Sequence, residues 1–312
     1  MSSVGALGEV TRGAEAREIH QTYAEEGFIV ARGLIDPALC EKTRALFAEQ
    51  VRPFEGRILR QTTSKQERHN INEHGHVTNP MLDVHETMRD QFPAFHGSVL
   101  DVLTHPELVK TVETLFGEEA MMVQSMYFES SRGTDPHMDT HFIDAAEKGR
   151  LVGVWIALED IDEKAGRFCV YPKSHRIYED GLFSEEAQEA ARTYEDHSCS
   201  VIRGYQLEGK SFSLNSVTKS RRLLRKYLQV SGFEPYSPAL KAGDVLFFSS
   251  LAIHSSNKPT GVGQTRNSLT CHWVPKACGY ARHGIYEPIP ADLMQVRDVW
   301  MQNQHRPQAT PA

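Results

Sequence analysis

The chain has 312 residues, of which 34 are basic and 41 acidic, so its formal net charge is −7 with neutral histidine. This balance argues against a nucleic-acid partner or a polybasic membrane-binding surface. Apolar residues make up 40% of the chain and charged residues 24%, a composition that predicts a folded globular protein rather than a disordered one. The five cysteines include no CxxC pair and predict neither a disulfide framework nor a cysteine zinc site.

The location expected from the sequence is the cytoplasm. The N-terminal residues lack the basic start and long apolar run of a secretory signal. No segment reaches the roughly 18 consecutive apolar residues of a membrane helix. Reduced thiols, and no membrane or nucleic-acid partner, are therefore expected.

The first third of the chain predicts helices around one buried strand. A helix is expected from Glu15 to Glu26, and the apolar run GFIVARGLI after it predicts a strand. Asp36 and Pro37 match the N-cap and the first turn of a second helix. Residues 52–79 are polar with few apolar anchors and predict a long loop. HPELVKTVETLFG then predicts a helix that ends at its glycine.

The middle of the chain changes to short strands. Five runs rich in β-branched and aromatic residues are separated by turn residues: MMVQSMYF, LVGVWIAL, RFCVY, DVLFFSS and RNSLTCHWV. They predict a sandwich or barrel, so the expected fold class is mainly β with flanking helices. We expect one domain over residues 1–312, with a core at about 27–274, a lid-like insertion at 178–240 and a flexible tail at 303–312.

The strongest chemical signal lies in residues 133–142. His137 and Asp139 are two residues apart, so in an extended chain they project to the same side. Two histidines with one carboxylate are the ligand set of non-haem Fe(II) oxygenases. The best second histidine is His254, which follows the apolar strand in AGDVLFFSSLAIH. Arg266 begins the next strand, and its guanidinium suits a bidentate grip on a carboxylate.

Together with the block GRLVGVWIALEDIDEKAGRFCVYPKSH, these residues give the chain a resemblance to the phytanoyl-CoA dioxygenase-like family of Fe(II)/2-oxoglutarate-dependent dioxygenases. The resemblance covers about residues 27–274. It implies a double-stranded β-helix, a jelly roll of the cupin type, that uses Fe(II), 2-oxoglutarate and O2. It also implies that His137, Asp139 and His254 bind the iron.

The resemblance further implies which residues hold 2-oxoglutarate. Arg266 and Ser256 are expected to bind the distal carboxylate of this cosubstrate. Trp155 and Met126 are expected to line its pocket. Gln124 lies two residues before Met126 on the same strand face, and we add it as a candidate at the metal end of the pocket.

Two further histidines have less direct interpretations. His141, in HMDTH, is a candidate for the wall of the substrate pocket, with a packing role as the alternative. A metalloprotease site is not predicted, because Met138 occupies the position of the catalytic glutamate in HExxH. His272 alternates with core residues in TCHWV and is expected to be structural.

The reaction that the resemblance implies is oxidation of an unactivated C–H bond of a small molecule, in a biosynthetic or catabolic step, with release of succinate and CO2. Hydroxylation is the expected outcome, and desaturation, epoxidation and cyclisation are alternatives. Halogenation is disfavoured because Asp139 retains the carboxylate that halogenating relatives replace. The competing functions are a non-catalytic metal-binding jelly roll, whose signature would be a lost ligand, and a zinc hydrolase.

The sequence does not identify the substrate. Specificity is expected to reside in the loop at 52–79 and the insertion at 178–240, whose polar and charged side chains favour a small polar metabolite. Residues 219–226 carry five cations in eight positions. They predict either a solvated helix face or a contact with an anionic group, such as a phosphate, a carboxylate, coenzyme A or a carrier protein.

Overall fold

The computed structural model describes residues 7–10, 13–208, 214–282 and 293–303. The helices are α1 (Ala16–Glu26), α2 (Pro37–Leu46), α3 (Val84–Thr87), α4 (Pro93–Leu103), α5 (Pro106–Phe116), α6 (Glu185–Glu208) and α7 (Leu214–Ser231). The strands are β1 (Glu9–Val10), β2 (Phe28–Ala31), β3 (Ile58–Leu59), β4 (Gln66–Glu67), β5 (Met81–Leu82), β6 (Ala120–Phe128), β7 (Thr134–His137), β8 (Ile143–Ala145), β9 (Val152–Ala157), β10 (Phe168–Val170), β11 (Val245–Ser249), β12 (His254–Ser256), β13 (Ser268–Pro275), β14 (Tyr280–Arg282), β15 (Leu293–Val296) and β16 (Val299–Gln302). The tail expected at 303–312 lies outside the described residues except for its first residue.

Two sheets form the core. The larger sheet has the strand order β1-β2-β11-β9-β13-β6-β16-β15, with β5 also paired to β6. The smaller sheet has the order β10-β12-β7. Buried apolar side chains from β2, β9 and β11 pack with those of β10 in the space between the sheets. This arrangement is the double-stranded β-helix, or jelly roll, that the sequence predicts.

The central strands separate two apolar cores. Val154 and Ile156 of β9 belong to the core shared with α1, α2, α4 and α5, whereas Trp155 and Ala157 belong to the core between the sheets. Every residue of β9 is buried. The strand is apolar along its length because helices cover one face of the larger sheet and the smaller sheet covers the other.

The N-terminal helices begin and end as their sequences predict. The Asp36 carboxylate accepts a 2.9 Å hydrogen bond from the backbone N–H of Ala38, and Pro37 opens α2. The helix predicted in HPELVKTVETLFG is α5, and Gly117 follows it in the left-handed conformation. These local signals therefore place the helices that cover the larger sheet.

The loop predicted at 52–79 contains more structure than its sequence indicates. It includes the short hairpin of β3 and β4. The fully buried side chain of Arg60 organises the loop: it donates hydrogen bonds to the carbonyl oxygens of Glu67 and Asn79, at 3.2 and 3.0 Å, and lies 2.9 Å from Nδ1 of His69. A buried arginine in a polar segment has no periodic pattern, so the sequence does not signal it.

The larger sheet also continues past the core boundary expected at residue 274. Strands β15 and β16 form a hairpin, and β16 pairs in parallel with β6. Val299 and Met301 contribute to the core beneath the helices. Each strand has only four residues, so the hairpin is too short to give a clear periodic pattern in the sequence.

The insertion at 178–240 contains the hairpin of α6 and α7. Apolar side chains of this hairpin, among them Tyr194 and Tyr227, pack with Met138 and Ile253 of the jelly roll. The hairpin therefore packs against residues that adjoin β7 and β12 of the smaller sheet. No helix in the described ranges is long and apolar enough to cross a membrane.

Gly243, in the turn before β11, should be sensitive to substitution. Its φ is +87°, and an added Cβ would collide with the carbonyl oxygen of Ile35. We expect Gly243→Ala to lower the free energy of unfolding in urea by about 2–5 kcal/mol, because left-handed strain of about 1–2 kcal/mol adds to overpacking of about 1–3 kcal/mol.

Gly232→Ala is the matched control for this prediction. Gly232 also has a positive φ, of +67°, but nothing lies within 4 Å of an added Cβ. We expect only the strain of about 1–2 kcal/mol at this position. Equal losses in the two variants would contradict the role assigned to the contact between Gly243 and Ile35.

Candidate metal and cosubstrate site

The three predicted metal ligands meet at one end of the smaller sheet. His137 ends β7 and His254 begins β12, and these antiparallel strands place the two histidines opposite each other. Asp139 follows in a short 3-10 turn, Asp139–His141. One ligand atom from each of the three residues lies within 4.8 Å of the others. Strand pairing and the two-residue spacing together build this cluster.

The Oδ1 atom of Asp139 is close to both imidazoles. It lies 3.8 Å from Nε2 of His137 and 3.4 Å from Nε2 of His254. Nδ1 of His137 lies 2.9 Å from the carbonyl oxygen of Asp135, and Nδ1 of His254 lies 3.1 Å from that of Ala252. An Nδ1–H that donates to a carbonyl leaves Nε2 free to bind a metal. The donor set of two nitrogens and one oxygen therefore suits a divalent transition metal.

The electrostatics of the cluster favour an ionised carboxylate. Burial would raise the pKa of Asp139, but His254 and His272 outweigh it and hold that pKa well below its ordinary value. Burial would lower the pKa of His254, but the Asp139 carboxylate outweighs it and raises that pKa. Burial and the neighbouring His254 lower the pKa of His137 to about 4. Asp139 is thus anionic and His137 neutral at neutral pH, as metal ligands must be.

Aromatic side chains hold His254 in place. The centroid of its imidazole lies 4.5 Å from that of the Phe248 ring and 5.6 Å from that of Phe168. Gly153 lies opposite Phe248 in the larger sheet, and a Cβ at this position would collide with the Phe248 ring. The glycine in LVGVWIAL therefore leaves the space in which Phe248 packs against His254.

Arg266 is a buried cation that forms no ion pair with any described residue. It is 3% exposed, its guanidinium lies 5.8 Å from the centroid of Trp155 and 5.5 Å from that of Phe128, and it donates a 3.1 Å hydrogen bond to the carbonyl of Gly166. Within the described part of the chain no carboxylate forms an ion pair with it, and its Nε has no hydrogen-bond partner. Burial lowers the pKa of Arg266 to about 10, so it remains charged at neutral pH. A carboxylate ligand would satisfy this charge.

The other predicted cosubstrate residues lie on both sheets. Met126 of β6 and Trp155 of β9 both lie opposite Thr270 of β13, so the three side chains share one face of the larger sheet. Ser256, in the smaller sheet, donates a 3.2 Å hydrogen bond to the hydroxyl of Thr134. The sequence does not single out Thr270, yet its buried hydroxyl has no hydrogen-bond partner within the described ranges. It adds a second unsatisfied polar group beside the Arg266 pocket.

Gln124 contacts His272, and His272 contacts a metal ligand. Oε1 of Gln124 lies 3.0 Å from Nδ1 of His272, whose Nε2 lies 3.1 Å from Oδ2 of Asp139. The sequence predicts only a structural role for His272. Its alternation with core residues is local, whereas the partner that reveals its role is 133 residues away.

His141 lies between the metal ligands and α6. Its ring centroid is 5.4 Å from that of Tyr194, and no described residue forms a hydrogen bond with its buried Nε2. Burial and the nearby His137 lower the pKa of His141 to about 3, so its imidazole is neutral at physiological pH. The structure thus places a neutral, hydrogen-bonding ring beside the cluster.

A family model and a curated relative carry the same family description. The family model described as "Phytanoyl-CoA dioxygenase (PhyH)" matches residues 23–266. The "Phytanoyl-CoA dioxygenase domain-containing protein 1" of Mus musculus is 33% identical over 85 residues, which are 26% of this chain and 29% of that protein. The match therefore spans less than a third of the mouse relative.

Solved structures share the fold at low sequence identity. The non-heme alpha ketoglutarate dependent epimerase SnoN from nogalamycin biosynthesis has a TM-score of 0.56 at 15% identity, over 92% of this chain and 98% of that one. The carbocyclase SnoK from the same biosynthesis has a TM-score of 0.58 at 16% identity, over 95% of this chain and 100% of that one. EctD from S. alaskensis, solved with 2-oxoglutarate and 5-hydroxyectoine, has a TM-score of 0.53 at 15% identity, over 88% of this chain and 82% of that one.

These likenesses support the jelly-roll fold, and the family match carries the assignment. It covers well over half of the chain and includes His137, Asp139, His254 and Arg266. The chain therefore belongs to the phytanoyl-CoA dioxygenase family of Fe(II)/2-oxoglutarate-dependent oxidoreductases.

Proposed function

We propose that this protein is a dioxygenase that uses Fe(II), 2-oxoglutarate and O2 to hydroxylate an unactivated C–H bond of a small polar metabolite, with release of succinate and CO2. One observation carries the proposal. A complete ligand set of His137, Asp139 and His254 shares the interior of the jelly roll with Arg266, a buried cation whose Nε has no hydrogen-bond partner among the described residues. The ligand set suits iron, and the cation suits the far carboxylate of a keto diacid.

The chain's own residues have separate tasks in this reaction. Bound iron with 2-oxoglutarate and O2 supplies the oxidising chemistry. Arg266 holds the distal carboxylate of the cosubstrate, with Ser256 as its proposed partner. Trp155 lines the pocket and contacts the Arg266 guanidinium, which excludes water and strengthens the ion pair. Met126 packs in the apolar wall of the pocket.

The competing functions account for fewer of these features. A zinc hydrolase mechanism does not explain Arg266, whose burial without an ion-pair partner in the described part of the chain costs desolvation free energy. A vestigial metal-binding jelly roll would be expected to have lost a ligand, and His137, Asp139 and His254 are all present in one cluster. The pairing of metal ligands with a carboxylate-binding cation favours the keto acid mechanism.

The outcome of the oxidation is proposed as hydroxylation. SnoN and SnoK are named as an epimerase and a carbocyclase, and they share this fold. Desaturation, epoxidation and cyclisation therefore remain alternatives for the same site, because fold does not determine outcome.

We propose that α6 and α7 form one wall of the substrate site. Met138 lies between two ligands and Ile253 precedes the third, and both pack with Tyr194 and Tyr227 of the hairpin. His141 contacts Tyr194 in the same place, so we propose that its imidazole faces the substrate. Neutral imidazole and phenol groups at this wall suit a polar substrate.

The basic run at 219–226 is proposed as a solvated helix face. Arg221 forms a 2.8 Å ion pair with Asp135, and the two side chains are 59% and 61% exposed. A surface pair of this kind contributes little to stability, although it joins α7 to β7. A contact with an anionic, coenzyme A-linked or carrier-linked substrate is the alternative. This alternative predicts that the Michaelis constant for the substrate rises with salt concentration.

Removal of a metal ligand should abolish the reaction. In His137→Ala we expect substrate-stimulated succinate formation to fall below detection, because the cluster loses one of its two imidazole ligands. Anaerobic titration with Fe(II) and 2-oxoglutarate should give visible charge-transfer absorption in the wild type, none in this variant and none with zinc. His20→Ala, on the exposed surface of α1, is the control. Wild-type turnover in His137→Ala would refute the assignment of the metal site.

Loss of the buried cation should weaken cosubstrate binding. In Arg266→Gln we expect the Michaelis constant for 2-oxoglutarate to rise about 10–100-fold, since hydrogen bonds to charged groups contribute about 1.5–3 kcal/mol. Arg266→Lys keeps the charge and should recover part of this loss.

The control for the cosubstrate prediction is Arg167→Gln, which changes the residue next to Gly166. The Nε of Arg167 donates to the carbonyl of Ile161, 3.1 Å away. We expect the Michaelis constant for 2-oxoglutarate to be unchanged in this variant. A wild-type constant in folded Arg266→Gln would contradict the cosubstrate assignment.

The substrate is best found by an untargeted search. A metabolite extract would be incubated with the enzyme, Fe(II), ascorbate and 2-oxoglutarate, with His137→Ala as the blank. A product that gains one oxygen indicates hydroxylation or epoxidation. A product that loses two hydrogens indicates desaturation or ring closure.

A further inference from the structure

We propose that His272, supported by Gln124, is a positioning residue that holds Asp139 as a one-oxygen metal ligand. The inference rests on the proposed function, because it takes His137, Asp139 and His254 as the iron site. It gives His272 and Gln124 a common task, which is to fix the orientation of the carboxylate.

The two oxygens of Asp139 have different neighbours. Oδ1 lies near Nε2 of His137 and of His254. Oδ2 lies 3.1 Å from Nε2 of His272. Asp139 is 6% exposed and His272 4%, so bulk water does not compete for this contact. The carboxylate is therefore held with one oxygen toward the other ligands and the second toward His272.

The chemistry of the groups sets the direction of the hydrogen bonds. An ionised Asp139 only accepts, so Nε2 of His272 donates to Oδ2. In a neutral imidazole Nδ1 is then an acceptor. Gln124 can supply the matching N–H, because a half-turn of its amide exchanges the oxygen and nitrogen positions 3.0 Å from Nδ1. Gln124 thus stabilises the tautomer of His272 that Asp139 requires.

The larger sheet builds this chain of contacts. His272 of β13 lies opposite Gln124 of β6, and the register shifts immediately beyond this pair, with Val123 as the inserted residue on β6. A β-bulge changes the direction of nearby side chains and is common beside active sites. The bulge therefore allows Gln124 to meet His272 while residues farther along β6 keep their pairing with β13.

The number of oxygens that Asp139 offers matters for the reaction. Two imidazoles and one carboxylate oxygen would fill three of the six positions of an octahedral metal and leave three for other ligands. A carboxylate free to turn could offer both oxygens and would then leave fewer positions for the keto acid and O2. Partners that orient metal ligands typically change metal affinity or activity 10–100-fold when they are removed. We assign this effect to His272.

The test measures Fe(II) affinity under anaerobic conditions, with the metal alone and without turnover. We expect His272→Phe to bind Fe(II) about 10–100-fold more weakly than the wild type. His272→Gln retains an N–H donor and should recover part of the affinity. Co(II) absorption spectra of the same variants should show an altered ligand field in His272→Phe.

A double-mutant cycle separates the two roles considered for Gln124. If Gln124 acts through His272, Gln124→Leu weakens Fe(II) binding in the wild-type background and adds no loss in the His272→Phe background. If Gln124 instead contacts 2-oxoglutarate directly, Gln124→Leu raises the dissociation constant of the cosubstrate in both backgrounds. That second result would overturn the part of the proposal that concerns Gln124.

His96→Phe is the matched control. His96 of α4 is 7% exposed, and its Nε2 lies 2.8 Å from the carbonyl oxygen of His85, so this variant also removes a buried imidazole contact. We expect a lower thermal midpoint in His96→Phe but wild-type Fe(II) affinity. A loss of affinity equal to that of His272→Phe would indicate general destabilisation and would overturn the positioning role.

The outcomes for His272 and for the proposed reaction are distinguishable. Wild-type Fe(II) affinity in a folded His272→Phe variant would overturn the inference. If circular dichroism shows that this variant is unfolded, His272→Ala takes its place with the same criterion. An enzyme that forms no succinate, yet shows Fe(II) affinity that depends on His272, would refute the proposed reaction and leave this inference intact.

Discussion

The site depends on the antiparallel pairing of β7 with β12, which sets His137 opposite His254. A slip of one residue in this register would turn every side chain of one strand to the other face, and the ligands would separate. Packing contacts on both faces of the smaller sheet disfavour such a shift in register. Phe168 of β10 packs against His254 inside the jelly roll, while Met138 and Ile253 pack in the cluster of the α6–α7 hairpin. Successive side chains of these strands face opposite sides of the sheet. The predicted ligands therefore face the interior, while their neighbours in sequence pack against the α6–α7 hairpin.

Asp139 and Arg266 are buried charged residues with different surroundings. Asp139 lies within hydrogen-bond or ion-pair distance of His254 and His272, and these contacts offset the cost of its burial. Arg266 has aromatic neighbours and a carbonyl acceptor but no ion-pair partner within the described ranges. An uncompensated buried charge is costly unless a ligand completes it. Burial of the Arg266 charge without an ion-pair partner destabilises the fold. A carboxylate that binds to Arg266 relieves this destabilisation, and the gain in free energy strengthens its binding.

The sequence predicts the parts of the site that depend on local patterns. The spacing of His137 and Asp139, the strand that leads to His254 and the strand that begins after Arg266 are all visible within about ten residues, as are most strands of the two sheets. The contact of His272 with Asp139 depends on pairing between distant strands. Arg60 makes its contacts within a polar loop and follows no periodicity. Such contacts can be identified only in the three-dimensional structure, because no short-range sequence pattern encodes them.

We expect substrate choice to depend on the regions that sequence patterns describe least. The smaller sheet positions His137 and His254, Arg266 precedes β13 of the larger sheet, and proteins named as an epimerase and a carbocyclase share this architecture. The difference between such outcomes is which substrate atom lies nearest the open metal positions, since the oxidising chemistry belongs to the cofactor. We propose that in this chain the α6–α7 hairpin, which packs on Met138 and Ile253, places the substrate together with the loop that Arg60 organises. Leu59 of that loop packs with Met126. Surface segments of this kind can vary while the strands that carry the predicted ligands stay in place.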